Sequence, residues 1–245
     1  MSDFFNLNLD ATLETTAKKS VFLNIPADTT YRIRFMPPTQ SNGALFVLNT
    51  NHFKLQDEED RGIAPACLKV HKDEPCPLCE VVDYMFESGD ANLKKVARDI
   101  KASNNWYAQV LLAKRGEDTK EGTPTWEYTG PHLMRFAKTG TDAINSVLKA
   151  QRAGGEPFIC DPKKGKDVLF SRTGTGLQTK YTAMPTGEQN SLDKIFPKWK
   201  DTIITDITKE LSIRFLTGPQ MLAAAQRAHK ELDWAKILKE SGVTV

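Results

Sequence analysis

Apolar and polar residues alternate with a period of two through Tyr31–Met36 ("YRIRFM"), the pattern of a strand with one buried face, and Pro37-Pro38 ends the run. A second strand-like run, Ala44–Phe53 ("ALFVLNTNHF"), follows a Ser-Asn-Gly turn. "NNWYAQVLLAK" from Asn104 reads as a third strand and "TPTWEYTGPHLMRF" from Thr123 as a fourth, with the polar turn "RGEDTKEG" between them. The segment "KDVLFSRTGTGLQTKYTAMP" reads as a hairpin turning at Thr-Gly-Thr-Gly. Five strands joined by loops of unequal length predict a small antiparallel barrel, of which the OB-fold is the commonest cytosolic kind. Helical periodicity appears in Glu80–Ser103, where Val81, Met85, Leu93, Val96 and Ile100 recur, broken near Ser88-Gly89. It appears again in Pro219–Lys239, with Pro219 in the first turn, Leu222, Ala225, Leu232, Ala235 and Leu238 on one face, and Gly242 just past the end. The expected class is therefore mainly β with helices (α+β), with no internal repeat and no low-complexity tract.

Composition narrows the setting. A chain of 245 residues with 40% hydrophobic content can bury a real core. No run of eighteen apolar residues occurs, and "MSDFFNLNLD" lacks the basic flank and apolar core of a signal peptide, so a soluble cytoplasmic protein is expected. The net charge of +2 does not announce a polyanionic partner, so any such partner must be read from where the charges sit.

Three of the four cysteines fall in "CLKVHKDEPCPLC", Cys67–Cys79, and in a reducing compartment such a cluster points to metal rather than disulfides. Cys76-Pro-Leu-Cys79 has the two-residue gap with which two thiolates grip one tetrahedral Zn²⁺, and Cys67 supplies a third. Two histidines compete for the fourth position: His71, four residues after Cys67, and His52, at the end of the second strand. Cys160 stands alone and reads as packing. A closed site of three cysteines and one histidine leaves no coordination position for water, so the ion would fold the chain rather than do chemistry. The zinc deaminases share the Pro-Cys-x-x-Cys half of the pattern, but their His-x-Glu half is missing: His52 is followed by Phe53 and Lys54. No Walker loop, dinucleotide fingerprint or Ser-His-Asp order is present, and a non-enzymatic protein is expected.

The aromatic and basic residues carry a second signal. Arg32 and Arg34 alternate with apolar neighbours and should share one face of their strand. Trp106-Tyr107 and Trp126-x-Tyr128 lie in neighbouring strand candidates, Tyr181 follows Lys180, and Lys101, Lys114, Arg115, Arg135 and Lys138 are close by in sequence. Rings interleaved with cations on a barrel face make a stacking platform for unpaired bases, with the charges tracking phosphates. Adjacent residues such as Trp106 and Tyr107 must point to opposite faces, so about half of these rings should be packing.

The order "RIRFMPP", "VLNTNHF", the Cys67–Cys79 cluster, a helical stretch, "NNWYAQVLL", "WEYTG" and "GLQTKYTAMP" resembles the zinc-containing single-stranded DNA-binding, helix-destabilising proteins of T-even-type bacteriophages, over about Thr29 to Met184. The resemblance implies an OB-fold with an inserted zinc subdomain, and one structural zinc held by His52, Cys67, Cys76 and Cys79, with His71 a bystander. It also implies a DNA cleft between zinc subdomain and barrel, floored by aromatics, with Arg34, Lys101, Trp106 and Tyr181 at matching positions. The domain expectation is an N-terminal arm over 1–25, an OB-fold core over 26–215 with the zinc subdomain at about 50–103, and a C-terminal helix and tail over 216–245. The implied function is coating of unpaired DNA in replication, recombination and repair, in the cytoplasm of an infected host. Implied partners are single-stranded DNA, replication and recombination proteins, and further copies along the strand, with no membrane. The family's basic N-terminal arm and acidic tail are not matched: residues 1–16 hold Asp3, Asp10 and Glu14 without Lys or Arg, and the chain closes on "LKESGVTV". The family's routes to cooperativity and recruitment therefore gain no support from these residues. The competing class is a zinc-ribbon interaction module of a replication or transcription complex.

Overall fold

A computed structural model describes residues 22–121 and 123–243, so the arm expected over 1–25 falls, up to residue 21, outside the described residues. In chain order the strands are β1 (Phe22–Leu23), β2 (Thr29–Phe35), β3 (Val47–His52), β4 (Leu55–Gln56), β5 (Gly62–Ile63), β6 (Ala102–Asp118), β7 (Pro124–Phe136), β8 (Lys166–Thr173) and β9 (Lys180–Gln189). The helices are α1 (Leu68–His71), α2 (Pro77–Glu87), α3 (Ala91–Ile100), α4 (Lys138–Gly154), α5 (Leu192–Ile195), α6 (Trp199–Thr202), α7 (Ile207–Glu210), α8 (Gly218–Ala228) and α9 (Trp234–Ser241). The architecture is α+β around one large mixed sheet with the path β1-β7-β6-β2-β8-β9, β3 also pairing with β6. The described residues fall into two compact units: 22–45, 108–135 and 139–205 in the first, 46–107, 136–138 and 206–243 in the second.

In the first unit β2 lies antiparallel between β6 and β8, with Ile33 opposite Leu112 and Val168, Phe35 opposite Val110, and Tyr31 opposite Phe170. Cross-strand partners share a face, so these side chains form one apolar layer, buried but for the edge residue Tyr31. Residues of α4 cover part of this unit, burying Gly140, Thr141, Ile144, Val147 and Gln151. The opposite face of β2 carries Arg32 and Arg34 in line with Ala113, Leu111 and Leu169, as the alternation predicts. It is not an open platform. Arg34 is 0% exposed, and its Nη2 donates to the carbonyls of Asp161 (2.7 Å) and Asn190 (2.8 Å). Burial lowers its pKa, and the neighbouring Asp167 opposes that shift.

The second unit packs α2, α3, α8 and α9 around Leu55, Leu78, Val81, Met85, Ile100, Met221 and Leu222. Pro77 opens α2 where a missing N–H costs nothing, and Asp90 caps α3 by accepting from Asn92 N and Leu93 N. Thr217 and Gln220 form a reciprocal capping box on α8. The single helix expected over Pro219–Lys239 is instead two. After Ala228 the chain leaves helical geometry at His229, whose carbonyl accepts from Trp234 Nε1 (2.9 Å), and the Asp233 side chain caps α9. Leu222 and Ala225 are buried as expected, while Leu232 and Leu238 pack half-buried against the same core. Gly242 ends α9 at φ 71°, the left-handed conformation that favours glycine.

Gly165 marks the tightest backbone approach in the first unit. A Cβ there would lie 2.5 Å from Arg34 Nη2 and 2.6 Å from the carbonyl oxygens of Asp161 and Ile159. Gly165→Ala should therefore destabilise the protein by about 1–3 kcal/mol, the usual cost of overpacking, read as a lower urea midpoint at unchanged slope.

Candidate metal centre and nucleic-acid interface

The His–Cys cluster is assembled by three backbone segments of the second unit. β3 ends at His52, and the following loop doubles back beside it: His52 N donates to Pro65 O and Cys67 N to Thr50 O, both at 2.9 Å. This pairing sets Cys67, which precedes α1, against the strand end. Cys76 occupies the N-cap of α2, and Cys79 sits in its first turn with Cys79 N donating to Cys76 O (2.9 Å). His52, Cys67 and Cys76 are buried and Cys79 half-buried.

Their four ligand atoms lie within 4.8 Å of one another and could hold a metal ion. His52 Nε2 is 3.4 Å from Cys76 Sγ and 3.7 Å from Cys79 Sγ, and Cys67 Sγ is 3.6 Å from Cys79 Sγ. A tetrahedral zinc with ordinary bond lengths separates sulfur from sulfur by about 3.8 Å and sulfur from nitrogen by about 3.6 Å, so the donor set fits that ion. His52 Nδ1 lies 2.9 Å from the carbonyl of Ile100, to which it donates in the tautomer that leaves Nε2 free to ligate. His71 is engaged elsewhere: its Nε2 accepts from Thr50 N (3.0 Å), and its ring meets Phe215 edge-on. The hydrogen bond between Cys76 and Cys79 lowers the pKa of Cys76 and raises that of Cys79, so the two sulfurs differ in their hold on a proton.

The residues expected at DNA divide among several environments. Arg34, expected on an open face, is buried with its guanidinium against the carbonyl oxygens of Asp161 and Asn190. Arg32 is nearly as enclosed, with Nε on Asp167 Oδ2 at 2.6 Å and its guanidinium 4.0 Å from the centre of the half-buried Trp126 ring. Tyr128 donates to the same carboxylate oxygen (2.6 Å), and burial first, then Asp167, raises its pKa. Tyr181 stacks on Phe170 at 5.6 Å between centroids and lies close to Gly140, so one ring face is used in packing. Trp106 and Tyr107 are both half-buried and, being adjacent in β6, face opposite ways; Trp106 pairs across the strands with the exposed Leu48. Lys101, Arg115, Arg135, Lys138 and Lys180 are exposed and Lys114 is half-buried. Arg115 is bound to Asp118 at 2.9 Å. Cys160 is half-buried with its thiol pushed up by burial.

The gp32 DNA-binding-protein-like family matches residues 28–233. The chain belongs to that family. Its members bind single-stranded DNA and are not enzymes, and both statements hold for this chain. No curated protein matches it. No helix among the described residues is long and apolar enough to cross a membrane.

The geometry separates the two histidines. His52→Ala should abolish near-stoichiometric metal binding, whereas His71→Ala should retain it. Metal content should also fall as pH is lowered, since protons replace the ion on imidazole and thiolate. Metal analysis after gel filtration checks both, and retention by His52→Ala with loss by His71→Ala would reverse the assignment.

Proposed function

We propose that the protein coats unpaired DNA stoichiometrically during phage-type replication, recombination and repair, with a structural zinc on His52, Cys67, Cys76 and Cys79 and an OB-fold barrel built from the large sheet. The observation that carries this reading is family membership over 28–233, joined to a buried four-ligand cluster of the right spacing. The zinc neutralises the thiolates and ties the β3 end to α2. All four positions around it are filled by the chain, which suits a structural and not a catalytic ion. On this reading the setting is the cytoplasm of the infected cell, and replication and recombination proteins are further partners.

Binding draws on two kinds of group. Trp106, Trp126, Tyr107 and Tyr181 offer partly open rings for stacking, and Lys101, Lys114, Arg115, Arg135, Lys138 and Lys180 offer charge to phosphates. Arg32 belongs with the rings. Its guanidinium, fixed by Asp167, supports Trp126 from one side and leaves stacking to the other.

Titration of a labelled oligonucleotide with rising salt tests this assignment. Trp126→Ala should weaken single-strand binding by about tenfold to a hundredfold with the salt slope intact, since a ring releases no counterions. Lys101→Ala or Lys180→Ala should instead flatten the log-log slope by about 0.7 for each phosphate that is no longer neutralised. Arg32→Gln should follow the tryptophan pattern. Duplex of equal length should compete poorly; equal competition would overturn the stacking reading and favour a protein-interaction module.

Chelation tests the metal half. Because structural metal binding is coupled to folding, a chelator should lower the thermal midpoint and zinc should restore it. An unchanged melt after complete metal removal would reject a structural role.

A further inference from the structure

The segment 190–203 of the first unit, "NSLDKIFPKWKDTI", carries a ring and a set of cations outside the strands and the cysteine cluster. We propose that Trp199, rimmed by Lys163, Lys164, Lys194, Lys198 and Lys200, is a further contact surface for unpaired DNA. The proposal rests on the single-strand-binding reading and adds a site to it.

The backbone brings these residues together. Leu192 N donates to Pro162 O (2.8 Å) and Asn190 N to Gly165 O (3.0 Å), so the turn holding Lys163 and Lys164 lies against the start of α5. That turn is itself tied down, with Lys163 N and Lys164 N both donating to Asp161 Oδ1 at 2.8 Å. Trp199 opens α6 and is half-buried. It packs with Tyr128, Phe196 and Ile203 against the small core of Met36, Leu111 and Leu192. Its Nε1 donates to Asp193 Oδ1 (2.9 Å), which fixes the plane of the ring.

Charge favours a polyanion. The five lysines are exposed, while the carboxylates of the segment are Asp193 and Asp201. Asp193 is already engaged: Trp199 Nε1 and Lys200 Nζ (3.3 Å) hold its pKa below the usual carboxylate range. Lysines alone would read as a solvated face. An indole pinned among them is what distinguishes this surface, because a base can stack on the ring while the lysines meet its flanking phosphates. Lys200 stands 5.4 Å over the ring centroid, a loose cation–π contact that an incoming base replaces as the ammonium turns to phosphate.

The test uses the full chain with labelled oligothymidylate in anisotropy titrations across a salt series. The variant K163Q/K164Q/K194Q/K198Q changes exposed side chains only and should melt like the parent. It should bind more weakly at moderate salt, with the slope flattened by about 0.7 for each phosphate these lysines neutralise in the parent. Trp199→Ala should lose about tenfold or more in affinity at unchanged slope, and Trp199→Phe should recover most of that loss. If the lysine variant binds with parental affinity and slope, the Trp199 surface does not touch DNA and the proposal falls while the single-strand-binding reading stands. Failure of the parent to bind the oligonucleotide would remove both. If the lysine variant loses only binding to poly-glutamate and keeps the oligonucleotide, the surface serves an acidic protein and the proposal is overturned.

Discussion

The second unit depends on one electrostatic constraint: three sulfurs and an imidazole nitrogen brought together at the buried end of β3. Cys67 Sγ lies 3.6 Å from Cys79 Sγ, so ionising both would set two like charges side by side in a largely buried site. A divalent cation would offset that repulsion, and several segments of the chain converge on the place where one could sit. The loop after β3 returns to place Cys67, the first turn of α2 presents Cys76 and Cys79, and Ile100 at the end of α3 orients His52. The end of β3, the returning loop, the start of α2 and the end of α3 thereby meet at one point. The helices then complete the enclosure, with Met221 of α8 in contact with Cys76.

The first unit shows a different use of charge. Its β2 presents two arginines on the face away from the apolar layer, and neither is spent on an outside partner in this structure. Arg34 satisfies backbone carbonyls of two loops, and Arg32 is clamped by Asp167 beneath Trp126. A buried guanidinium is costly unless it is hydrogen-bonded, and it repays that cost by holding loops in defined positions. Those loops carry Lys163 and Lys164 and lead into the Trp199 segment. Buried arginine thus orders exposed lysine.

Much of this is legible in the residues. The alternation in "YRIRFM" places both arginines on one face of β2, and the Cys-x-x-Cys gap marks the start of α2 as a ligand site. Spacing alone leaves His52 and His71 level, because proximity in sequence favours His71 while the loop between Leu55 and Ala66 brings Cys67 back to His52; only the family resemblance points to His52. Period-two patterning tells which residues share a face but not that loops bury one of the faces, so Arg34 reads as available to DNA. Helix α4 escapes the pattern because three of its five buried positions are Gly140, Thr141 and Gln151, which blur its apolar stripe. The break after Ala228 is hidden for another reason: no Gly or Pro marks it, and its cause is a tertiary contact from Trp234 to a backbone carbonyl.

Three of the tryptophans are fixed by polar partners. Trp126 is held by a guanidinium, Trp199 by a carboxylate and Trp234 by a carbonyl, so each ring has a polar or charged partner that restricts its rotation. Trp234 uses this to join two helices inside the core. Trp126 and Trp199 are half-buried, and for them the same restriction has a different consequence. A ring that is already immobile loses little conformational entropy when a base stacks on it, so more of the stacking energy survives as affinity. Carboxylates near these rings therefore need not oppose a polyanion: Asp167 and Asp193 are each neutralised by a cation within 3.3 Å while they orient the aromatic beside them. A net charge of only +2 is compatible with DNA binding, because what a strand meets is the local grouping of lysines, such as Lys163, Lys164, Lys194 and Lys198, and not the balance of the whole chain.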